Sequence, residues 1–158
     1  MKSKILAVLT LFLSYQSFAD SQKFHSWEFV NNDNLTSART YDQTGILFGI
    51  GCTKDQNCML YLETNECNVG KPYAVMVSST HGHTVITSEC VKSELVKSNF
   101  VLELIDANKM FNFMYQSADF IAAIPHNDGS ISLSEFGLRG SAEAMKAFGE
   151  YQKQQSTE

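Results

Sequence analysis

Short apolar segments that alternate with a period of two, cut every few residues by polar turn clusters, leave this chain little choice but a β-rich fold. His25–Val30 sets Trp27 and Phe29 against Glu28. Asn31–Asn34 is a turn cluster, and a second strand follows near Ser37–Tyr41, ending at Asp42–Gly45. Ile46–Cys52 is apolar and carries glycine, as a buried strand does where another backbone comes close or a bulge intervenes. Cys58–Glu63 alternates Met59 and Tyr61 against Leu60 and Leu62. Tyr73–Ser78 runs into the turn Thr80–His83, and Val85 and Ile86 begin the return. The whole reads as an antiparallel meander with short turns.

After Cys90 the pattern changes. Phe100–Ile105 is a strand. Ala107–Ser117 puts Met110, Phe111, Phe113 and Met114 at helical spacing behind Asp106, which is placed to cap the helix. Phe120–Ile124 is a strand closed by Pro125, and Asn127-Asp128-Gly129 is a strong turn signal. Ile131–Leu138 returns. Gly140-Ser141 opens a final helix with Ala144, Met145, Phe148 and Tyr151 on its apolar side. The expected fold is α+β: mainly antiparallel strands in a two-layer, sandwich-like core, with two short helices. The chain has 11 Phe, nine of them beyond residue 19, and a domain of this size needs a core of that kind to bury them.

The N-terminus sets the compartment. Lys2 and Lys4 precede an apolar run from Ile5 to Leu13, and Ser17 and Ala19 are the small residues of a cleavage site. Residues 1–19 therefore read as a secretory signal peptide, with a mature chain from Asp20. The apolar run is shorter than the roughly 20 residues a spanning helix requires. Residues 20–151 read as a single domain and 152–158 as a polar tail. Cleavage removes two positive charges and no acid, taking the formal charge from −5 to −7. Such a surface repels phosphate backbones, so nucleic acid is excluded as a partner.

Cys52, Cys58, Cys67 and Cys90 are an even set in an exported chain, and their spacing is not that of paired CxxC zinc ligands. Two disulfides are expected. Of the three pairings, Cys52–Cys58, across a polar turn, and Cys67–Cys90, across the ends of a hairpin centred on His81-Gly82, suit the predicted strands best.

Candidate chemistry is sparse. His81 and His83 flank a glycine at a turn, with no carboxylate or cysteine at ligand spacing, and an exposed hairpin tip accounts for them. Asp128–Phe136 copies the back half of a calcium loop, with Glu135 in the last ligand position. Ile124 and His126 stand where the first carboxylates belong, with Pro125 between them, so a strand-turn-strand is the expectation. No G-x-S-x-G elbow, phosphate loop or H-E-x-x-H occurs. Asn34-Leu35-Thr36 fits the glycosylation pattern. The Met- and Phe-rich helix is expected to pack on the sheet rather than form a partner groove. No cofactor, metal or catalytic residue is expected.

Phe120–Ile124, the Asn127–Gly129 turn, Ile131, Leu133, Phe136, Leu138, Gly140, Ala144 and Phe148 together resemble the closing segment of the invasion-associated locus B family. That segment has a hairpin, an I-x-L…L-x-G strand and an A-x-x-x-F/L helix. The likeness covers residues 106–150. The clustered Cys52 and Cys58 depart from the family pattern. The resemblance implies an exported envelope protein of Gram-negative bacteria, with a disulfide-bearing β-sandwich domain and no catalytic residues to carry over. The functional expectation is a non-enzymatic periplasmic or secreted protein that binds a macromolecular partner. The alternative is an inhibitor or immunity protein against an envelope-acting hydrolase, whose basic surface an acidic binder would suit.

Overall fold

The structure is a computed structural model and describes residues 20–32 and 35–155. The expected signal peptide, Asn34 of the glycosylation pattern and residues 156–158 lie outside the described residues. Among the described residues, ten strands form one wholly antiparallel sheet. They are β1 (Asp20–Phe24), β2 (Trp27–Asn31), β3 (Leu35–Tyr41), β4 (Leu47–Thr53), β5 (Cys58–Glu63), β6 (Pro72–Ser79), β7 (Gly82–Lys92), β8 (Phe100–Leu104), β9 (Asp119–Pro125) and β10 (Ile131–Gly137). Helix α1 (Ala107–Tyr115) links β8 to β9, and α2 (Ser141–Gln155) follows β10. The spatial order is β1-β2-β3-β4-β5-β8-β7-β6-β9-β10.

The fold is thus α+β and mainly antiparallel, as the alternation predicts. The second layer arises differently from the expected sandwich. A single sheet curls into a half-barrel, so that distant strands face each other across its concave side. Phe48 of β4 meets Phe120 of β9 at 5.0 Å and Phe136 of β10 at 5.6 Å between ring centroids. Trp27 stands edge-on to Phe48. The two ends of the sheet meet at a seam. There the indole Nε1 of Trp27 donates to the Gly137 carbonyl at 2.9 Å, and the Ser26 hydroxyl donates to the Arg139 carbonyl.

Both helices line the concave side. Met110 and Met114 of α1 are buried in the main core, which is the expected packing. Ala144 and Phe148 of α2 are buried against β1–β3, and Tyr151 leans on Phe29. Gly140 precedes α2 with φ +94°, and a Cβ there would collide with the Phe24 carbonyl. Only glycine fits that corner.

Several expectations are corrected. β1 carries one apolar side chain, Phe24, among DSQKF, and has no alternation to read. Asp106 makes no side-chain cap; its carboxylate lies 3.4 Å from the Thr87 amide instead. Helix α2 runs three residues past the expected start of the tail at Gln152. Both faces of β5 are covered, with Tyr61 on its outer side as buried as Leu62 on its inner side.

The cysteines pair as Cys52–Cys58 and Cys67–Cys90. The first clamps facing positions of β4 and β5. The second ties the β5–β6 connection to buried Cys90 of β7. Among the described residues no helix is long and apolar enough to cross a membrane.

Candidate functional site

Side chains on the convex side of a half-barrel face away from its core, so a strand there should alternate to polar residues. On β7, β6, β9 and β10 it does not. Val85 stands opposite Met76, Met76 opposite Ala123, and Ala123 opposite Leu133. These four form one apolar row across four strands. At about 4.8 Å per strand, Val85 and Leu133 lie roughly 14 Å apart. Ile121 and Ile131 extend the patch to either side along their strands. Leu133 is 70% exposed, Ile131 65%, Met76 and Val85 47% each and Ile121 42%. Together they leave an apolar patch on the order of 500 Å², a size at which the largest patch of a monomer is often functional.

Among the outward side chains of the strands that carry this patch and of β8 beside them, the charges share one sign. Outward positions of β6–β10 carry Glu89, Glu103, Asp119 and Glu135, and none carries Lys or Arg. Glu135 faces Ile121, and Asp119 lies one outward position beyond it on β9. Glu89 and Glu103 face each other across β7 and β8, two outward positions along from Val85. The two acid pairs therefore sit at diagonally opposite corners of the patch. Lys109 reaches in from α1 and donates to the Val85 carbonyl at 2.7 Å, along the edge of β7 that β8 leaves uncovered.

The seam holds a second feature. A cavity of about 180 Å³ lies between the β3–β4 turn and the β9–β10 hairpin, lined by Ile46, Thr64, Ile124, His126, Ser132 and Ser134. His126 Nε2 and Ser132 Oγ are 2.9 Å apart, within reach for a nucleophile and its base. Among the described hydrogen bonds, none joins a carboxylate to His126, so the orienting acid of a triad is not assembled. Glu63, the carboxylate that lines the cavity, accepts from the Ser98 amide, and Asp42, two residues before the lining Thr44, is occupied locally, accepting from the Thr44 amide and hydroxyl and the Ile46 amide, each at 2.8 Å. Burial pushes its carboxyl upward, but the bonds from the Thr44 and Ser134 hydroxyls and from those amides outweigh burial and hold it below the usual range.

The motifs singled out from sequence fall elsewhere. His81 and His83 are exposed at the β6–β7 turn. Among the described residues, no three His, Cys, Asp or Glu gather as a metal site would need. The half calcium loop is also dispersed. Asp128 turns the chain by accepting from the Ser130 amide and hydroxyl, and those bonds lower its carboxyl's affinity for a proton. Glu135 projects from the outer face of β10, apart from that turn. The four cysteines are consumed in disulfides. Sequence reasoning missed the apolar row, because its members come from four separate stretches and only the register aligns them.

No protein-family model, curated protein or solved structure matches the chain.

Proposed function

We propose that this chain is an exported protein, periplasmic or secreted, that works by holding a macromolecular partner and not by catalysis. The outer face of β6, β7, β9 and β10 carries this reading. Water-exposed Leu, Met and Val in one register row, with Ile on either side, cost solubility and contribute little to the core, so they call for a cover. Two disulfides suit an oxidising compartment, as does the leader read from residues 1–19. The kinship proposed with the invasion-associated locus B family fits the same role. Most of the residues that carry it, Phe120, Ile124, Phe136, Leu138, Ala144 and Phe148, are buried and speak for packing. Ile131 and Leu133 belong to the same motif yet stand on the exposed patch.

A photo-crosslinking amino acid at Leu133 tests the proposal in the protein expressed in its native envelope. Irradiation should give adducts of discrete mass. The same group at Lys146, exposed on the outer side of α2, should give none. A blank at Leu133, or identical adducts from both positions, would overturn the reading.

A further inference from the structure

We infer that the segment seated on this patch is an amphipathic helix of about three turns, with Lys or Arg along the flanks of its apolar stripe. The inference rests on the binding role proposed above and adds the chemistry of the partner. The row from Val85 to Leu133 crosses the strands over roughly 14 Å, which matches about ten helical residues at 1.5 Å each. Ile121 on one side and Ile131 on the other give it width for the apolar face of a helix, whose diameter with side chains is about 10 Å. A helix lying along the row has Glu135 and Asp119 on one flank near Leu133. It has Glu89 and Glu103 on the other flank near Val85. Basic residues on both flanks of the helix then meet acids at both corners.

Charge decides between this occupant and the other candidates. A second copy packed face to face would set one net-acidic patch against another of the same sign, since a two-fold axis presents the same patch on both sides. An anionic lipid surface is repelled by the same four carboxylates. Like charges brought together across an interface are strongly unfavourable, whereas complementary ones guide encounter and register. The wide, shallow apolar face with acidic corners is the complement of a basic amphipathic helix.

The test uses the mature protein and two synthetic 18-residue helical peptides of identical Leu pattern, one flanked by Lys and one by Glu. Titration calorimetry in 50 mM salt should show binding of the Lys peptide at least about tenfold tighter than of the Glu peptide. The pair Glu135→Lys with Asp119→Lys should weaken the Lys peptide about tenfold. Leu133→Thr with Met76→Thr should abolish its binding, and Lys146→Glu should leave it unchanged. All four residues replaced in the two paired variants are solvent-exposed, and unaltered thermal melts would show that these variants fold. Equal binding of both peptides, or an affinity indifferent to Glu135 and Asp119, overturns the inference. Sedimentation showing a dimer that Leu133→Thr dissolves also overturns it, in favour of a second copy. Discrete crosslinks from Leu133 that persist in the charge-reversed variant would leave the binding role standing and remove only the basic helix.

Discussion

The outer face of the sheet is finished in one half and bare in the other. On β4 and β5, Leu47 and Tyr61 are buried beneath Leu95 and Val96, which the β7–β8 connection folds back over them with Val101. On β6, β7, β9 and β10, side chains just as apolar are 42–70% exposed among the described residues. The same chain, then, covers an apolar outer face with a few residues of loop where that face serves the core. It commits the 15 residues of α2 to the concave side of β1–β3. Among the described residues, nothing of that kind crosses Met76 or Leu133. The difference separates apolar surface that the fold needs from apolar surface that it only displays.

Substitutions can break that distinction. The largest effect is expected on the inner side of the bare half. Phe136 packs on Phe48 and Phe120 there, and Phe136→Ala should cost about 3–5 kcal/mol in urea melts through lost contacts and a residual cavity. In the covered half, Leu95→Ala should cost about 2–4 kcal/mol, because the loop it anchors is a true lid. If Leu95→Ala were neutral, the covered face would be no more integral than the bare one.

Tyr61→Phe has the opposite sign. Among the described residues, the Tyr61 and Ser37 hydroxyls are both buried without a hydrogen-bond partner, and burial raises the phenol's affinity for its proton. Removing an unsatisfied polar atom should stabilise the protein by about 1 kcal/mol. A clear loss of stability would reveal a bond between the two hydroxyls. Smaller still is the effect of Asp42, whose folded carboxyl titrates below its unfolded value of about 4. Its stabilisation is fully present above that value and fades as pH falls through the lowered one. Asp42→Asn should therefore flatten the acid limb of a stability-versus-pH curve and leave its slope above pH 6 alone. The smallest effect is expected at Leu133, which shares the outer face of β10 with Glu135. Leu133→Thr should change stability by less than about 0.5 kcal/mol in the same urea melts. A cost near that of Leu95→Ala would make the bare face structural.

Much of the fold was legible because the information is local. β6 and β7 lie where their apolar runs and the turn between them place them, with Val75 and Val77 inside and Met76 outside. Ala144, Phe148 and Tyr151 lie on one side of α2 as their spacing demands. The disulfides were legible because each pair brackets its own turn or hairpin. What stayed hidden depends on partners distant in sequence. Tyr61 is covered by Leu95, 34 residues on, which closes the outer face of its strand. β1 is a strand because β2 pairs with it, not because DSQKF favours one. The apolar row needs the register of three strand pairs before Val85 and Leu133 belong together. His126 and Ser132 share a hairpin, but their approach is set by the turn between them.

The Trp27–Gly137 contact joins positions 110 residues apart, and Trp27 is the chain's single tryptophan. Contacts of such separation are entropically expensive to close and favour slow folding. The molecule thus carries its own optical probe at the seam, a contact expected to close late. A change in indole emission that trails the gain of far-ultraviolet strand signal would time the moment when the curled sheet meets itself.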